Sequence, residues 1–148
     1  MPDKAPSARD IVKTIESQAE EVRRAATELS RRIKSFEKWL AGLPGKVGAS
    51  CGEPDDDHGR TSFNIHVQRQ GKEWALSYFY FDDENQRFIG DSALLRDASV
   101  EVKARAIKLF PKLLPAIRDM QRHTVESVDK LSAKFDEFAA ELGIKEGQ

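Results

Sequence analysis

Nine apolar residues between positions 12 and 40 keep an unbroken three-four rhythm: Val12, Ile15, Ala19, Val22, Ala26, Leu29, Ile33, Phe36 and Leu40. That spacing places all nine along one side of an α-helix, and so long a stripe calls for a second helix against it. Both ends of the helix are marked. Ser7-Ala-Arg-Asp10 fits a capping box, a hydroxyl followed three residues later by a carboxylate. Gly42 is placed for a left-handed cap, and Pro44 forbids continuation. The pattern predicts a helix over 7–41, about 50 Å long.

The period then changes from helical to alternating. Glycine, proline and aspartate cluster at 42–48, 52–59 and 82–85, with apolar alternation between them. Val47, Ala49 and Cys51 suggest a short strand. Phe63, Ile65 and Val67 alternate with Asn64, His66 and Gln68. Trp74, Leu76, Tyr78 and Tyr80 alternate with Ala75, Ser77 and Phe79, and Phe88-Ile89 begins a fourth strand. A three- to four-stranded antiparallel meander over 46–90 follows. A turn at Gln70-Gly71 would set Val67 against Trp74, Ile65 against Leu76 and Phe63 against Tyr78, with all six on one face. Phe79 and Phe81 give the opposite face an aromatic component.

From Ser99, a plausible N-cap, helical spacing returns: Ile107, Phe110, Leu114, Ile117, Gln121, Thr124, Val128, Leu131, Phe135, Phe138, Leu142. Pro111 and Pro115 lie within it, and each removes a backbone hydrogen bond. The expectation is a helix over 99–142, kinked or broken near the prolines, or a helix pair. Tails at 1–6 and 144–148 are expected to fray. The fold class is α+β, a single domain of long helix, antiparallel sheet, long helix. The helices either fold back on the sheet or pair as an antiparallel stalk.

Charge balance narrows the partners. With 24 basic and 25 acidic residues, the chain has no net field to draw it onto nucleic acid or an anionic membrane. The lone cysteine, Cys51, rules out an intrachain disulfide and fits a reducing compartment. The start of the chain has no apolar core of a secretory signal, and no run reaches the length of a membrane span. A cytoplasmic location is expected.

Several constellations invite a chemical reading. Asp55, Asp57 and His58 are the residues a metal ion would use, although the loop fails the EF-hand pattern and a solvated turn is the simpler account. Asp82 and Asp83 begin a second acidic turn. Arg24 and Arg31, seven apart on one helix face, could meet phosphate or an acidic partner. Trp74, Tyr80 and Phe81 belong to the densest aromatic run and are candidates for partner contact. His58, His66 and His123 are too dispersed to suggest a triad. There is no G-x-S-x-G, no phosphate-binding glycine loop and no H-E-x-x-H. No cofactor is implied.

The expected function is therefore a non-enzymatic protein–protein interaction module, homodimeric, whose role is to neutralise a partner, act as an adaptor or serve as a small chaperone. The alternatives are a metal- or ligand-binding sensor using the acidic loops, and a nucleic-acid binder using the arginine face. The expected structural seam comprises Val12, Ile15, Val22, Leu29, Ile33, Phe36 and Leu40 on the first helix. On the last it comprises Phe110, Leu114, Ile117, Val128, Leu131, Phe135 and Phe138.

Overall fold

The computed structural model describes residues 4–144. The tails expected at 1–6 and 144–148 lie outside that range except for 4–6 and 144, which belong to no helix or strand. The architecture is α+β. Helix α1 (Ala8–Ala41) leads into strands β1 (Ala49–Pro54), β2 (Thr61–Gln70), β3 (Glu73–Asp82) and β4 (Arg87–Leu94). A short 3-10 turn (Leu95–Asp97) and helix α2 (Val100–Leu142) follow. Among the described residues, no helix is long and apolar enough to cross a membrane.

Helix α1 begins where its cap predicts, with the Ser7 hydroxyl accepting the Asp10 N–H at 3.2 Å. Its exit differs from expectation. Gly42 stays right-handed (φ −82°, ψ −11°), and positive φ falls instead on Gly45 (φ 66°). The Leu43 N–H reaches back to the Leu40 carbonyl at 3.1 Å, so the last turn tightens rather than reversing, before Pro44 ends it.

The four strands form one antiparallel sheet in sequence order. The hairpin register is two residues from the expected one. Gly71-Lys72 forms the turn, so Phe63 faces Tyr80, Ile65 faces Tyr78 and Val67 faces Leu76. The reason is local: the first loop position needs φ > 0, and Gly71 supplies it at +62°. A two-residue slip preserves the faces. Phe63, Ile65, Val67 and Leu76 are all buried beneath the helices, with Trp74, Tyr78 and Tyr80 packed at their margin.

Helix α2 is capped by the Ser99 hydroxyl, which accepts the Val102 N–H at 3.3 Å. It runs unbroken for 43 residues, so of the alternatives expected near Pro111 and Pro115, a kinked helix, a break or a helix pair, the break and the pair are not found. Both prolines are exposed. Each removes one helical donor, leaving the Ile107 and Pro111 carbonyls without their usual partner, and the helix continues past both. Gly143 in the left-handed conformation ends the helix. Its N–H bonds to the Ala140 carbonyl and the Ile144 N–H to the Ala139 carbonyl, a Schellman closure.

The buried face of α2 is rotated from the predicted seam. Lys103, Ala106, Leu109, Leu113 and Ile117 are buried. Leu113 is fully enclosed, whereas Leu114 is 42% exposed. The cause is the sheet, against which α2 presents a broad stripe rather than a narrow seam. Arg105 locks that contact. Its guanidinium donates to Glu53 and Asp55 on and beside β1, each at 2.6 Å, and lies 4.5 Å from the centre of the Phe63 ring.

The two helices lie side by side on one face of the sheet and run parallel. Ser30 meets Lys103 (2.6 Å), Phe36 stacks on Phe110 (4.3 Å between ring centres), and the Pro44 and Gly45 carbonyls accept from Gln121 (3.0 and 2.8 Å). Numbers rise together along both helices. The antiparallel stalk is therefore not formed. Only the C-terminal half of α1 and the N-terminal half of α2 pack on the sheet.

Candidate functional site

Parallel packing leaves each long helix with an unpaired arm, and the arms leave from opposite ends of the sheet. The α1 arm, residues 8–25, is about 27 Å long and the α2 arm, residues 122–142, about 31 Å. Among the described residues, nothing covers their stripes. Ile11, Val12, Ile15 and Val22 on one arm, and Val125, Val128, Leu131, Phe135, Phe138 and Leu142 on the other, are between 46 and 64% exposed. The same stripe on α1 is buried further along, at Ile33 and Leu40. One rhythm thus serves two environments, a core at one end and an uncovered surface at the other.

The arginine face is mostly self-neutralised. Arg24 is exposed on the arm, but Arg31 and Arg32 both bond the Glu28 carboxylate, at 2.6 and 3.1 Å. Arg31 first and then Arg32 hold Glu28 down to a pKa of about 2. A denser cationic group lies elsewhere, and the sequence pattern did not point to it. Lys34, Lys38, Lys46, Lys72 and Arg96 surround a cleft of about 350 Å³ beside Glu37, Glu73 and Trp74. These cations come from α1, two loops and the 3-10 turn, so only the fold assembles them. Five cations against Glu37 and Glu73 leave the cleft lining with an excess of positive side chains.

Glu37 forms the floor of that cleft and is buried. Strand β4 ends at Leu94, opposite Ser77, so the Leu76 N–H has no strand to bond. The Glu37 carboxylate accepts it instead, at 2.9 Å, with Arg96 at 3.9 Å.

The acidic loops are tied up by local bonds. Asp55 is held by Arg105, and Asp56 accepts the Arg60 and Thr61 N–H groups. Asp57 and His58 are in the turn that follows, and no three histidine, cysteine or acidic residues among the described ones could hold a metal. Asp82 caps its own turn through Asn85 and Glu84. Asn85 is the main reason its carboxyl stays below the usual range. Asp83 donates its N–H to the Arg60 carbonyl. Trp74 and Tyr80 pack against the core, while Phe81 lies on the other face against Phe88, 5.4 Å between ring centres. The Cys51 thiol donates to the Leu109 carbonyl (3.6 Å), and burial pushes its pKa up, away from a reactive thiolate.

The three histidines are on a loop, a strand and the α2 arm. His66 is half-buried on the face of the sheet away from the helices, its Nε2 3.0 Å from Gln68 Oε1. Burial pushes its pKa below the usual 6.5, the Gln68 contact opposing this only in part. The unfolded chain therefore takes up this proton at higher pH than the folded one. The stability involved is full above pH 6.5 and declines as the pH falls through the window below it. Wild type should accordingly lose more melting temperature than His66→Gln between about pH 7 and about pH 5. Equal losses in the two proteins would refute the assignment.

No family model matches this chain, and neither the curated proteins nor the solved structures gave a match.

Proposed function

We propose that this protein is a non-enzymatic interaction module that offers each of its two helical arms to a partner helix, the first such partner being a second copy of itself. The observation that carries the reading is the pair of uncovered stripes. Ten side chains, each leaving on the order of 80 Å² in contact with water, expose about 800 Å² per chain, the area one side of a standard interface buries. The arms of one chain cannot satisfy each other, because they leave in opposite directions. A second molecule can supply the missing helices. Ala19 and Ala26 keep the α1 stripe narrow enough for the backbone of a partner to approach closely. Partner neutralisation, adaptor function and chaperoning all fit such a surface.

The test is a concentration series by light scattering and sedimentation on wild type and on the triple variant Leu131→Asp/Phe135→Asp/Phe138→Asp. Wild type should associate at micromolar concentrations, and the variant should be monomeric with an unchanged sheet-core melting transition, since these residues are exposed within one chain. A wild-type chain that stays monomeric throughout and shows no arm-mediated cross-link to any other polypeptide in its native extract would sink the proposal.

A further inference from the structure

The sheet face turned away from both helices carries a second feature, independent of the arms. Between the pairs Tyr78↔Ala93 and Tyr80↔Ile89, β3 spends one residue, Phe79, while β4 spends three, Gly90, Asp91 and Ser92. Gly90 takes φ +71° to make the detour. Beside this bulge, on the sheet face away from the helices, lies a hollow of about 280 Å³. Its polar lining includes His66, Gln68, Ser77 and Ser92, and its apolar wall is Phe79 and Phe88, whose ring centres are 5.3 Å apart. Among the described residues, no charged side chain lines it.

Ser77 gives the hollow its chemical interest. It is only 5% exposed, yet its hydroxyl has no hydrogen-bond partner among the described residues. A buried hydroxyl left unmatched is a standing cost, which a folded chain has reason to carry where a ligand completes it. His66 is directly across the strand pair from Ser77, and burial pushes its pKa down, which favours the neutral ring. The polar groups on offer are thus uncharged and include both donors and acceptors.

The geometry points to a binding site for a small, neutral, flat heteroaromatic ligand with donor and acceptor groups on its edge, of the nucleobase or aromatic-amide class. Its ring would pack against Phe79 and Phe88, and its polar edge would meet Ser77, with Gln68 or His66 beside it. The volume admits one ring system and a small substituent. Charged analogues are disfavoured because nothing in the lining compensates them.

Ligand-observed NMR titrations of the full chain with nicotinamide, adenine and benzoate test this. Saturable binding of nicotinamide or adenine, with benzoate at least tenfold weaker, is expected. Ser77→Ala should weaken binding about tenfold without lowering the melting temperature, because it removes an unpaired buried hydroxyl rather than a bonded one. Phe88→Ala, at an exposed position, should weaken it similarly with the fold intact. Absence of saturable binding of both neutral probes, preference for benzoate, or binding that neither substitution changes would overturn the assignment.

Discussion

Replacing Phe63 with alanine is expected to cost about 3–5 kcal/mol of folding stability, enough to lower the melting temperature by roughly 10 °C. Phe63 is fully buried at the centre of the sheet. It meets three side chains on two other elements: Tyr78 and Tyr80 on the neighbouring strand (ring centres 6.2 and 5.5 Å away), and the Arg105 guanidinium on α2. Truncation would leave a cavity under α2 and remove the surface on which Arg105 rests. Arg105 would still bond Glu53 and Asp55, so the helix should remain docked and the loss should be one of packing. Urea unfolding gives the measurement. A midpoint within error of wild type would show that the helices do not press on the sheet as described, and an unchanged slope is expected because the fold itself persists.

The second large effect is expected at Glu37. Glu37→Ala should cost about 2–4 kcal/mol, although the residue lies on a helix face among lysines and would be taken for a surface position. The loss has two parts. The Leu76 N–H, beyond the end of β4, would have no acceptor, and Arg96 would lose its nearest carboxylate. Glu37→Gln separates them. The amide oxygen can still accept from Leu76 while the charge is gone, so the variant should recover part of the lost stability. Equal stability of wild type and Glu37→Ala would mean that water satisfies the Leu76 amide.

How much of this could be read from the chain follows from which interactions are local. Ser7 and Ser99 cap their helices with bonds to residues three positions on, so both starts were legible. The apolar faces of β2 and β3 were legible because alternation survives a two-residue slip. The register was not, because it depends on Gly71 being first in the turn. The course of α2 at Pro111 and Pro115 stays open between a kink and a break in the sequence, because the pattern shows two prolines but not that both are exposed. The buried side of α2 was misjudged at Leu113 and Leu114, because a seam against a helix and a stripe against a sheet differ by a fraction of a turn. The exposed arms could not be foreseen, since Val12 and Ile33 occupy equivalent places in one rhythm. Only tertiary structure decides which of them is covered. Glu37, the cationic cleft and the hollow at Ser77 are assembled from distant segments and leave no spacing to detect.

Because the helices run in the same direction and only the C-terminal half of α1 overlaps the N-terminal half of α2, their free tips are about 90 Å apart by helical rise. The chain is in that respect a spacer of set length. Whatever grips the α1 tip and whatever grips the α2 tip are held apart at a distance written in residue number. Inserting seven residues into the α2 arm should extend the reach by about 10 Å while leaving the stripe facing nearly the same way. Inserting four would extend it less and turn the stripe partly aside. A small-angle scattering profile of the monomeric triple variant should already show a maximum dimension far beyond that of a compact chain of this size, whose radius of gyration would be about 15 Å.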